Sequence, residues 1–123
     1  MVEEYDELTG KIIGCCYDVH TQLGPGFLEK IYANALKIKL QQAGLSYQAE
    51  KEFNVIFEGI VVGKFRCDLF VENKVIVELK SVTGHQPKLF QSQLISYLKA
   101  SKIKTGLLIN FGNTSCEVKR ISV

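Results

Sequence analysis

Two apolar stretches separated by three polar residues constrain this chain more than anything else in it: Phe65-Arg66-Cys67-Asp68-Leu69-Phe70-Val71 and Val75-Ile76-Val77-Glu78-Leu79-Lys80-Ser81. Both have the branched and aromatic content of strands, and Glu72-Asn73-Lys74 between them is a hairpin signal. With that loop, Val71 pairs with Val75, Asp68 stands opposite Glu78, and Arg66 stands opposite Lys80. Alternation then puts Phe65, Cys67, Leu69, Val71, Val75, Val77 and Leu79 on one apolar face. Arg66, Asp68, Phe70, Ile76, Glu78 and Lys80 take the other. Slipping the register by one residue would set the apolar stripe against the polar set, so burial selects this pairing.

The selected pairing carries a cost. Two carboxylates directly across an antiparallel pair have Cβ atoms about 4.5–5.5 Å apart, and like charges at that distance are destabilising. A hard divalent cation offsets the cost, since Mg²⁺ takes carboxylate oxygens together with waters. Lys80 shares the face with Glu78 and can neutralise charge, hold a water or take part in proton transfer. The competing reading is a solvated face of cross-strand ion pairs, which are common and individually weak. The apolar residues flanking both strands count against it.

The rest of the chain supplies a scaffold of the right kind. Leu8, Ile12, Cys15, Cys16 and Val19 recur at helical steps between Glu4 and Gln22, and Leu23-Gly24-Pro25-Gly26 ends that pattern in a turn. A second helix is expected from Phe27 to Ala43, stopped by Gly44, with Glu29, Tyr32, Ala33, Leu36 and Leu40 on one face. Strands are expected over 48–57 and 60–62, 64–71 and 75–81. A third helix over 87–101 carries Leu89, Phe90, Leu94, Tyr97 and Leu98 on its apolar side, and strands over 105–110 and 116–121 follow. The expectation is an α/β fold in which a mixed central sheet is flanked by helices. At 123 residues the chain has the size of one domain spanning residues 1–123.

Composition excludes some classes. No apolar run approaches the roughly 20 residues of a membrane span. The Met1-Val2-Glu3-Glu4 start is acidic where a secretion signal is basic, so a cytoplasmic location is expected. Cys15, Cys16, Cys67 and Cys116 form no C-x-x-C pair and read as buried free thiols. A net charge of +2 argues neither for nor against a polyanionic ligand. Lys99, Lys102 and Lys104 read as a solvated helix end, His20 as a helix-end histidine and His85 as a loop residue facing solvent.

Asp68, then nine intervening residues, then Glu78-Leu79-Lys80 resembles the D…E-x-K signature of PD-(D/E)XK nucleases. Gly26-Phe27-Leu28-Glu29-Lys30-Ile31-Tyr32 is similar to the element that names the GxxExxY family, a small-protein branch of that superfamily. Val19-His20, Gln93 to Lys99 and Gly106 to Gly112 also resemble that family, in its order. The resemblance implies a restriction-endonuclease-like core and a metal-dependent nuclease. It implies that Asp68, Glu78, the Leu79 carbonyl and Glu29 hold Mg²⁺, for which Mn²⁺ can substitute. Lys80 would position or activate water, and Gln93 would reach the same site with Tyr97 one turn beyond. Two departures stand out: Cys67 replaces the superfamily's proline, and Gln91-Ser92 precede Gln93 where a Glu-Ala-like pair is usual.

The resulting expectation is hydrolysis of phosphodiester bonds in DNA or RNA. Two other readings compete with it. One is a catalytically silent module that binds nucleic acid or protein on the same fold; the other is a homodimer cutting branched DNA.

Overall fold

The computed structural model describes residues 2–123, with side chains described from residue 7 onward, so Met1 and the acidic side chains at the start lie outside it. Helix α1 (Val2–Leu23) runs into the Gly-Pro-Gly turn, and α2 (Glu29–Gln42) follows. Gly24 and Gly26 both sit at positive φ, 70° and 109°, where a side chain would be strained. Tyr32 closes this turn. Its hydroxyl donates to the Gly24 carbonyl at 2.5 Å and accepts from the Phe27 amide at 3.2 Å, while its fully buried ring stacks on Phe111 at 4.5 Å. The G-x-x-E-x-x-Y spacing therefore has a local meaning: a glycine bend starts the helix, and a tyrosine one turn in reaches back to hold it. Tyr32→Phe keeps the ring and loses both bonds, so thermal denaturation should show a loss of about 1–2 kcal/mol.

Seven strands follow the two helices, with α3 (Lys88–Ser101) between the fifth and the sixth: β1 (Tyr47–Ala49), β2 (Glu52–Phe57), β3 (Ile60–Arg66), β4 (Leu69–Val71), β5 (Val75–Lys80), β6 (Thr105–Asn110) and β7 (Glu117–Ser122). The main sheet has the order β1-β4-β5-β6-β7, and β2 and β3 form a separate two-stranded sheet. Strands β5 and β6 are parallel, joined by a crossover through α3, and the remaining pairs are antiparallel. The sheet is thus mixed, as expected.

Helices cover both faces. Leu69, Val71, Val75, Val77 and Leu79 meet Ile12, Cys16, Tyr32, Leu36 and Leu40 from α1 and α2 in one core. Phe70, Ile76 and Leu108 meet Leu94 and Leu98 of α3 in a second core. Leu89, expected on the apolar side of α3, is 68% exposed instead. Cys15, Cys16 and Cys67 are buried free thiols, and His20 is buried with its Nε2 2.8 Å from the Asn113 carbonyl oxygen. Among the described residues no helix is long and apolar enough to cross a membrane.

The long strands expected over 48–57 and 64–71 are each cut in two. Glu50 takes a φ of +53°, and the chain leaves strand geometry at Cys67 and Asp68. The two segments still pair through the bend. Ala49 faces Leu69 on one side and Glu52 faces Arg66 on the other, bridged by Glu50 N to Asp68 O at 2.9 Å and Cys67 N to Lys51 O at 3.0 Å. One antiparallel ribbon therefore bends out of the main sheet at Asp68, which corrects two expectations. Arg66 is not opposite Lys80; it faces Glu52 and makes exposed ion pairs with Glu50 at 3.2 Å and Glu52 at 3.5 Å. Cys67 packs on the α3 side and not with Leu69, because alternation does not survive the bend. The face carrying Phe70 and Ile76 is buried, which goes against the competing reading of a solvated face.

Candidate active site

Where the ribbon bends away, the β4–β5 ladder stops at Leu69 opposite Val77. The next two residues continue the pairing with side chains in place of backbone. The Asp68 amide donates to Glu78 Oε2 at 2.7 Å, and the Leu79 amide donates to Asp68 Oδ2 at 2.7 Å. The two carboxyl groups are locked across from each other by short bonds to each other's strand. The bend that costs a backbone ladder is also what turns Asp68 toward Glu78.

Burial makes this pair expensive. Glu78 is only 7% exposed, and burial followed by the neighbouring Asp68 pushes its carboxyl up to about 8. Burial also raises Asp68, against the opposing pull of the Leu79 amide and Lys80. No ion pair neutralises either group among the described residues. Lys80 is close enough to lower both, yet its ammonium rests over the Phe90 ring, 4.4 Å from the centroid. A solvated face of cross-strand ion pairs is therefore not what these residues form.

Glu29 opens α2 on the other side of the site. Burial raises its carboxyl, Lys80 lowers it and Asp68 raises it, which puts all three within electrostatic reach. Its place depends on the turn before it: the Ser81 hydroxyl, just past Lys80, donates to the Phe27 carbonyl at 2.6 Å. Beyond Ser81, the fully buried Asn110 brackets the chain. Its Oδ1 accepts from Val82 N and Gly112 N, and its Nδ2 donates to Val82 O and Glu117 Oε1. Gly112 is needed there, since a Cβ would stand 2.2 Å from the Val82 oxygen.

Glu29, Asp68 and Leu79 line one open cleft of about 370 Å³, together with Glu50, Lys30, Ala33, Asn34 and Lys37. Glu78, almost wholly buried, does not line the cleft. Among the described residues no three His, Cys, Asp or Glu side chains close up as a ready metal cage. The Asp68–Glu78 pair nonetheless has the donor chemistry of a hard cation site: two hard oxygen donors, buried at one of them and lacking an ion-pair partner. Mg²⁺ keeps several waters and needs only one or two carboxylates. The residues fit such an ion.

A family model described as the PD-(D/E)XK nuclease superfamily matches residues 6–121. The chain belongs to that superfamily. Its mixed five-stranded sheet between helices is the restriction-endonuclease-like fold. Among solved structures, the crystal structure of SSO0001 is similar, with a TM-score of 0.60 at 22% identity over 76% of this chain and 50% of that one. At that identity the likeness speaks to the fold, and this chain spans about half the length of SSO0001. No curated protein matches the chain.

In this PD-(D/E)XK protein, Gln93 lies on α3. It is exposed and hydrogen-bonds Tyr97, whose hydroxyl is raised by burial and then by Glu78 and Asp68. Tyr97, held by a 4.1 Å stack on Phe65 of the bent hairpin, lies within electrostatic reach of both carboxylates. Two further residues escaped sequence reasoning. Phe90 read only as a packing residue, and its role as the support of Lys80 follows from the crossover that brings α3 over β5. Glu50 read as an ordinary strand residue; no local sequence signal marks it, and its φ of +53° belongs to the bend.

Proposed function

We propose that this protein is a metal-dependent nuclease of the GxxExxY branch, forming one nuclease-like domain over residues 1–123 and hydrolysing phosphodiester bonds. The observation that carries the reading is the Asp68–Glu78 pair: two carboxyls held face to face, raised by burial and lacking an ion-pair partner among the described residues. Such a pair is unfavourable unless a cation or a retained proton neutralises it, and a cation is what lets both ionise at neutral pH. Asp68, Glu78 and the Leu79 carbonyl would hold Mg²⁺, with Glu29 facing the same ion from α2. A hard divalent cation bound there supplies Lewis-acid polarisation of the phosphoryl oxygen and a water nucleophile at neutral pH. Lys80 swings from Phe90 toward the carboxylates to orient the attacking water and offset charge, and Gln93 and Tyr97 border the site from α3.

Labelled single- and double-stranded DNA and RNA incubated with Mg²⁺, with Mn²⁺ and with chelator test this. Cleavage of at least one substrate is expected with either metal and none with chelator. Absence of cleavage across the whole panel, from protein shown to be folded, would leave a silent binding module as the better reading.

One observation favours a dimeric form of the enzyme. The β2–β3 hairpin leaves Ile56, Phe57, Ile60, Val61 and Val62 all more than half exposed, an apolar patch of the kind that marks an interaction surface. Gel filtration of the protein used in the panel reads this directly, a monomer counting against it.

A further inference from the structure

We infer that one face of α2, carrying Lys30, Asn34 and Lys37, is the track on which the phosphates of a single nucleic-acid strand lie as they approach the carboxylates. The inference rests on the nuclease reading and adds to it where, and by which groups, the substrate backbone is held.

Lys30, Ala33, Asn34 and Lys37 are spaced three, four and seven residues from the first, so they form one row on the helix surface. All four line the cleft that Glu29, Asp68 and Leu79 also line. The row therefore leads into the candidate active site and is not simply a solvated flank. The lysines of α2 are used differently. Lys39 points to α1 and pairs with Asp18 at 3.4 Å. Lys37 meets only the neutral Asn34 side chain, at 3.4 Å, and Lys30 has no ion pair among the described residues. Two cations thus stand uncompensated on one wall of a cleft. Between them Ala33 is small enough to let a sugar–phosphate backbone come close.

The dimensions suit a strand. Seven residues of helix separate Lys30 from Lys37 by about 10 Å. One strand of a duplex advances about 3.4 Å per phosphate along its axis, so the two ammonium groups are about three nucleotides apart. Lysine contacts of this kind hold the backbone without reading bases, so the track serves any sequence. Glu50 and Asp68, from the strand side of the cleft, and Glu29, at the start of the same helix, repel a polyanion and keep it against the lysines except where a cation bridges the gap.

The test is a binding measurement on protein carrying Glu78→Gln, which is expected to hold substrate without turning it over. Fluorescence anisotropy of a labelled single strand and of its duplex is followed against KCl concentration. Adding Lys30→Ala and Lys37→Ala should weaken binding about 10- to 100-fold at low salt. The slope of log affinity against log salt should flatten by about 1.4 for a single strand or about 1.8 for a duplex. Lys99→Ala with Lys102→Ala removes the same charge from exposed positions outside the cleft and should leave both quantities unchanged. Unchanged affinity and slope in the α2 variant, an equal loss in the control, or no binding by the parent would each overturn the track. Since the readout is binding, a protein that never cleaves but loses affinity with the α2 lysines keeps the track and loses the enzyme. One that cleaves while ignoring those lysines does the reverse.

Discussion

Glu78→Gln should abolish cleavage, by roughly 10³-fold or more, and at the same time make the metal-free protein more stable at alkaline pH. The two effects share one cause. Glu78 is 7% exposed beside Asp68, and its carboxyl is raised from 4.5 to about 8. The unfolded chain ionises near the ordinary value, while the folded chain keeps its proton to the higher one. Between about 4.5 and 8 the folded state therefore binds more protons, and stability falls as pH rises through that window. Above about 8 the penalty is complete. Glutamine carries no charge to bury, and its amide oxygen can still accept from the Asp68 amide. The variant should gain on the order of 1–4 kcal/mol over the parent above pH 8 and nothing near pH 4. Urea denaturation at several pH values in chelator checks this. A variant that is less stable throughout, or that still cleaves, would remove the assignment of Glu78.

The second large effect is expected at Lys80. Its ammonium makes no ion pair among the described residues and rests on the Phe90 ring, so Lys80→Ala should leave the fold intact. Loss of a positioned group that handles a proton typically slows chemistry by about 10²–10⁴-fold. The drop should appear in kcat, with little change in the metal concentration needed for half-maximal rate, since the carboxylates remain. Phe90→Leu removes only the support. A cation–π contact is worth about 0.5–2 kcal/mol, so its rate should fall by no more than about 30-fold. Single-turnover kinetics at saturating metal separates the cases. Equal rates for Lys80→Ala and the parent would exclude Lys80 from the chemistry, and a Phe90→Leu loss as large as that of Lys80→Ala would mean the ring does more than hold the ammonium.

Periodicity and turn chemistry carried most of the architecture. The apolar row Tyr32, Leu36 and Leu40 is buried as the helical spacing requires, and the Val71–Val75 pairing follows from a three-residue loop between two apolar stripes. The opposition of Asp68 and Glu78 follows from that same register. What local pattern could not reveal was the bend. A kink at Glu50 and Asp68 depends on where the hairpin finds a partner, and it found α3 through the Phe65–Tyr97 stack, with Phe53 set edge-on to Phe70 of the main sheet. The bend displaced Arg66 to Glu50 and Glu52, moved Cys67 to the other core and set both carboxyls on backbone amides.

Short-range order in the chain was thus enough to name the two acids and the lysine, because strand register and loop length are properties of neighbouring residues. Which groups surround them was settled at long range. The parallel β5–β6 connection lays α3 and its Phe90 under Lys80, and the Ser81 bond to Phe27 ties down the turn that brings Glu29, Lys30 and Lys37 into one cleft. Contacts between residues fifty positions apart arise only when helices pack on both faces of a sheet, and no pattern of nearest neighbours records that packing.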